Sequence, residues 1–94
     1  MPLNPADLRH LTAAVGYLEL GMPLDANEEL ENIDPEHRHA TEVLMLRVDI
    51  YCKLKKWDLM EIVAGKLAEG DPSNVQWSLS YEYATRRAES IEAA

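Results

Sequence analysis

Residues 39–72 read HATEVLMLRVDIYCKLKKWDLMEIVAGKLAEGDP. Two helical segments fit this stretch, the first over roughly 39–55. Its apolar residues Val43, Leu44, Leu46, Val48, Ile50, Tyr51 and Leu54 are spread around more than one face. A helix patterned in this way needs neighbours on two sides. Trp57 and Asp58 open the second segment, with Leu59, Ile62, Val63 and Leu67 as its apolar positions. Gly70-Asp71-Pro72 stops it, because glycine suits a helix C-terminus and proline cannot continue one.

Outward from this pair, the same alternation of helix and stop signal continues. Asn4 ahead of Pro5 is an N-cap followed by a first-turn proline, whose missing N–H costs nothing there. Leu8, Leu11, Val15 and Leu18 then recur at helical spacing up to Gly21. A second helix is expected to begin between Pro23 and Asp25, with Asp25 and Glu28 at capping-box spacing. Leu30 and Ile33 supply its buried side, and Asp34-Pro35 ends it. A fifth helix is expected from Ser73 or Asn74 to Ala88, carrying Val75, Trp77, Leu79, Tyr81, Tyr83 and Ala84. Ser90 has the character of an N-cap for a sixth. Phe is absent, and the apolar content is mostly Leu, Ala, Met and Ile, which favour helix over strand. The short connections require successive helices to turn back on one another.

The chain also matches itself when shifted by 34 residues. Tyr17 then falls on Tyr51, Leu11 on Met45, Met45 on Leu79, Ala14 on Val48, Ala26 on Met60 and Ile33 on Leu67. Gly21 falls on Lys55, which breaks the match. A helix–turn–helix unit of about this length, with W-x2-L-G-x2-Y, then A-x3-F, then P, is the tetratricopeptide repeat pattern. The chain resembles that family over almost its whole length. Leu44, Val48, Tyr51 and Pro72 take the Trp, small-residue, Tyr and Pro places of one unit. His10, Ala14, Tyr17, Ala26-x3-Leu30 and Pro35 match the preceding one. Four departures stand out. Arg47 occupies a place where an apolar residue is usual, and A-x3-F becomes Met60-x3-Ala64, with large and small exchanged. Pro35 comes three residues early, which lengthens the loop around His37-Arg38-His39. In the last unit Trp77 is one residue from its expected place and Thr85 takes the Tyr place.

The resemblance implies an all-α, right-handed α-solenoid of antiparallel helix pairs filling one domain, residues 1–94. It has about five helices, in repeats near 5–38 and 39–72 and a partial third over 73–94. It also implies a concave wall, lined by the first helix of each unit, on which a partner peptide or helix docks. Projected along the repeat, that wall carries Leu11, Val15 and Leu18, then Met45, Asp49 and Cys52, then Leu79, Tyr83 and Arg86. Arg86 and Arg87 form the one basic pair near this wall, a match for an acidic partner. The Lys, Arg and Asn of the family's carboxylate clamp have no counterpart among these mostly apolar positions.

Charge narrows the function classes. With 9 Lys+Arg against 17 Asp+Glu, the net charge of −8 repels phosphate backbones and argues against nucleic-acid binding. Most of the net charge, −6 of −8, lies in residues 1–40, at Glu28, Glu29, Glu31, Asp34 and Glu36 among others, as on a solvated helix face. No run approaches the ~18 apolar residues that span a bilayer. The opening MPLNPADLRH lacks a basic cluster before an apolar run, so no leader is expected. The single cysteine fits a reducing, cytoplasmic setting.

Little points to chemistry. His37-x-His39 with Glu36 and Glu42 offers at most two converging imidazoles, short of what zinc needs. Cys52 lies among apolar helix residues, where an inert thiol is expected. The four glycines are too far apart for a phosphate loop, and Trp57 and Trp77 read as packing anchors. The expectation is therefore a non-enzymatic protein-interaction module without cofactor or metal. The alternative is a self-assembling unit, or part of a longer array, that pairs through the open side of its last helix.

Overall fold

The computed structural model describes residues 3–93, with side chains described over residues 3–89. Five α-helices follow in order: α1 Pro5–Glu19, α2 Pro23–Leu30, α3 Thr41–Lys53, α4 Trp57–Gly70 and α5 Val75–Ala93. A short 3₁₀ turn, Pro35–His37, lies between α2 and α3. No strand occurs among the described residues.

Helix ends follow local chemistry, and they correct three expectations. The capping box is at α1: the Asn4 side chain accepts from the Asp7 N–H at 2.8 Å, and the Asp7 carboxylate accepts from the Asn4 N–H. The expected box at Asp25 and Glu28 does not form. α2 starts at Pro23, within the expected interval, so Asp25 sits inside the first turn, where its charge faces the positive end of the helix dipole. α2 also stops at Leu30, before Ile33. Pro35 disfavours helical backbone at Asp34, and Arg38 takes over the loose carbonyls by donating to those of Ile33 and Glu31. Finally, Ser90 caps no sixth helix: α5 continues through it to Ala93, with neither glycine nor proline to stop it.

The two complete hairpins turn in the same way. Gly21 closes α1 with φ +75°, and Lys55, 34 residues later, closes α3 with φ +57°. The flanking bonds recur at the same offset: Met22 N–H to Tyr17 C=O and Lys56 N–H to Tyr51 C=O, each 2.9 Å. The position where the sequence match breaks is therefore one where backbone geometry is kept. Lys55 holds a left-handed conformation that favours glycine.

Burial recurs at the same spacing. Ala14 and Val48, Ala26 and Met60, Leu30 and Ala64, Ile33 and Leu67, and Ile50 and Ala84 are all buried. Large and small are exchanged between Ala26/Leu30 and Met60/Ala64, yet each pair fills its space, as volume-conserving swaps do. One core cluster joins Ala14, Ala26, Leu30 and Ile33 to Val43, Leu46 and Ile50 of α3. A second joins Val48, on another side of α3, to Met60, Ala64, Leu67 and Ala84. Each helix packs on the next along the chain, and α1 also meets α3. The α4–α5 contact is the most extensive. Gly65 permits it, since a Cβ there would come within 3.2 Å of the Tyr81 ring. Trp57 and Trp77 are half-buried against the second cluster.

Several apolar residues at helical spacing are exposed, among them Val15, Leu79 and Tyr83 of the projected wall. On α4 the buried positions are Met60, Ala64 and Leu67, and Leu59 and Ile62 face outward. Leu8 and Val15 on α1, and Val75, Leu79, Tyr81 and Tyr83 on α5, are also exposed. Both helices are at the ends of the packing order and lack a neighbour on one side.

Arg47 explains its own departure from the repeat pattern. Its side chain is buried, donating to Asn27 Oδ1 at 2.9 Å, to Glu31 Oε1 at 3.1 Å and to the Tyr51 hydroxyl at 3.3 Å. It binds α3 to α2 by polar contacts where the repeat pattern has an apolar one. Two stability predictions follow, measurable by urea unfolding. Lys55→Gly stabilises by about 0.5–1 kcal/mol, whereas Gly21→Ala destabilises by about 1 kcal/mol. Arg47→Ala costs about 2–3 kcal/mol, because it strands Asn27 and removes a charged hydrogen-bond donor. Arg47→Met, which keeps the apolar stem, costs less.

Candidate functional site

Met45 and Asp49 are one helical turn apart on α3, on the side left free by both core clusters. Two depressions share them. One, of about 290 Å³, lies between α1 and α3 and is lined by Leu11, Val15, Glu42, Met45, Leu46 and Asp49. The other, of about 220 Å³, lies between α3 and α5, with Val48, Leu67, Gln76, Trp77 and Ser80 completing its lining. The second repeats the first 34 residues on: Met45 follows Leu11, Asp49 follows Val15, Gln76 follows Glu42 and Ser80 follows Leu46. Together they form one two-part groove across α1, α3 and α5, mainly apolar at its α1 end and mixed at its α5 end.

The structure thus brings Leu11, Val15, Met45 and Asp49 together and leaves the other five projected wall residues outside the groove. Leu18 lines a separate depression beside Gly21 and Pro23, near Lys53. Cys52 is half-buried against the second core cluster. Leu79 and Arg86 are exposed, and the Arg86 guanidinium is 3.8 Å from Glu82 on its own helix. The Tyr83 ring meets Trp57 of α4 edge to face, with centroids 5.8 Å apart. Arg87 stacks over both rings, 5.6 Å from Trp57 and 5.1 Å from Tyr83. Neither arginine lines the groove, which corrects the expectation of a basic pair there. The cause is the seating of α5: Ala84 and Ala88 are buried and Tyr81 lies over Gly65, and this turns Gln76, Trp77 and Ser80 toward α3. The sequence reading took Trp77 as a packing anchor and passed over Gln76 and Ser80. The signal that finds those two is Glu42 and Leu46 shifted by 34, rather than Met45 and Asp49.

Asp49 is the charged group common to both depressions. Partial burial raises its carboxyl above the ordinary value, against a smaller opposing pull from Lys53 one turn on.

Several of the remaining polar residues singled out in the sequence are engaged within the fold. Glu29 pairs with His10 at 2.6 Å across α1 and α2. Glu31 takes both Arg38 and Arg47. His37 turns inward onto Asp7, while His39 is exposed. Asp7 is buried and also accepts from the Asp34 N–H, so it pins the loop before α3 to the start of α1. No three His, Cys, Asp or Glu side chains are grouped to hold a metal among the described residues. No helix among them is long and apolar enough to cross a membrane. No family model, curated protein or solved structure matches the chain.

Burial by itself would raise the Asp7 carboxyl. The hydrogen bonds from His37 and from the Asp34 and Asn4 N–H groups, with the His37 charge, outweigh it and hold the group below its ordinary value. Its stabilising contribution is then complete above the carboxylate range and lost as pH falls through the lowered value. Asp7→Asn is expected to lower the melting temperature at pH 7. The gap to the native protein should narrow below about pH 4 in thermal unfolding across a pH series.

Proposed function

We propose that the chain is a tetratricopeptide-like stack of helical hairpins that acts as a non-enzymatic protein-interaction module. A partner segment docks in the groove across α1, α3 and α5. The observation that carries this reading is the duplication of the groove lining at the 34-residue offset, around Met45 and Asp49, which belong to neither core cluster. Recurrence of the Gly21 and Lys55 turns and of the buried positions supports the repeat architecture in the same way. Met45, half-exposed and flexible, supplies adaptable apolar contact, and Leu11 and Val15 extend it toward α1. The single cysteine and the acidic balance suit a cytoplasmic setting.

One observation favours a second reading, a unit that assembles with its own copies. Val75 and Leu79, one turn apart on α5, leave 67% and 57% of their surface exposed, and adjoining exposed apolar residues mark an interaction surface. Selection from a displayed peptide library, with sedimentation velocity on the same protein, separates the two. The module reading predicts enriched sequences whose binding falls at least tenfold in Met45→Glu and is unchanged in Leu79→Lys. Oligomers that grow with concentration, dissolve in Leu79→Lys and capture no peptide would establish the assembly reading instead.

A further inference from the structure

The charges around the groove say what kind of segment fits it. Among the described residues, its only ionisable lining groups are Glu42 and Asp49, and no Lys or Arg lines either depression. The two arginines expected at the wall are elsewhere, Arg87 stacked on Trp57 and Tyr83 and Arg86 beside Glu82. Between the two carboxylates lie Met45 and Leu46, with Leu11 and Val15 opposite on α1. The long-range field has the same sign, since the chain carries a net charge of −8. Glu42 and Asp49 are two turns apart on α3, a separation of about 10 Å along the helix axis.

From this juxtaposition of an apolar floor with two carboxylates spaced two turns apart, we infer that the occupant of the groove is a basic amphipathic helix of another protein, with Lys or Arg at positions i and i+7 flanking apolar residues at i+3 and i+4. The inference rests on the groove reading above and adds the chemistry of the partner. The apolar pair settles on Leu11, Val15, Met45 and Leu46, as helix-in-groove recognition requires. The two cations reach Glu42 and Asp49, both exposed on α3 and open to pairing. An acidic helix would leave both carboxylates facing like charge, which penalises the wrong partner more strongly than it rewards the right one.

Fluorescence anisotropy with four labelled helical peptides tests this. All four share apolar residues at i+3 and i+4. One has Lys at i and i+7, one has Gln there, one has Glu there, and one has the two lysines moved to i+2 and i+9, on the opposite face. The expected order is i/i+7 Lys tightest, then Gln, then Glu, with the moved-lysine peptide at least fivefold weaker than the i/i+7 peptide. Glu42→Gln with Asp49→Asn should weaken the i/i+7 Lys peptide about fivefold and leave the Gln peptide unchanged. Equal binding of the Lys and Gln peptides, or of the two lysine placements, overturns the charge inference. If Met45→Glu still abolishes that binding, the groove reading survives. Binding that is insensitive to Met45→Glu overturns the groove reading as well. No binding by any of the four overturns the charge inference, and the displayed-library selection then decides the groove separately.

Discussion

The fold depends on α3 being held from two sides. Val43, Leu46 and Ile50 enter one core cluster with α1 and α2, and Val48 enters the other with α4 and α5. Arg47 adds a buried polar tie to Asn27 and Glu31 on α2. A thirteen-residue helix committed in this way has one strip left, and Glu42, Met45 and Asp49 occupy it. The groove is the consequence: with core on either hand, depressions can open only along that strip, one toward α1 and one toward α5.

The same constraint accounts for exposed apolar surface at the ends. An inner helix has neighbours on both sides, whereas α1 and α5 each lack one, so Leu8, Val75 and Leu79 stay in solvent. Polar contacts compensate at the first end. Asp7 joins the α1 N-terminus to His37 and the Asp34 backbone, and His10 reaches Glu29 on α2. At the other end Arg87 lies over Trp57 and Tyr83, which fixes α5 against the start of α4. Asp7, Glu29 and Glu31 are accordingly paired within the fold, and the carboxylates that face the groove are Glu42 and Asp49.

Much of this was legible in the residues. The Asn4-Pro5 start, the Gly70-Asp71-Pro72 stop and the two-sided patterning of α3 are local or periodic signals, and the helices formed where those signals put them. Leu11, Val15, Met45 and Asp49 were placed together by periodicity and do converge. Leu79, Tyr83 and Arg86, projected by the same rule, do not reach the groove. Their helix packs mainly on α4, and that contact chooses its orientation through Ala84, Ala88 and the Gly65–Tyr81 approach.

By itself the sequence determined an all-helical chain, most of its helix boundaries and a spacing at which burial recurs, because capping, proline geometry and apolar periodicity act within a few residues. Tertiary structure decided what no local rule contains. It put Lys55 in a left-handed turn that a lysine does not seek, buried Arg47 with partners sixteen to twenty residues away, and withdrew the arginines from the groove. Each of these is set by which surfaces meet once the helices pack, and a side chain's charge becomes available to a partner only after the fold has taken its share.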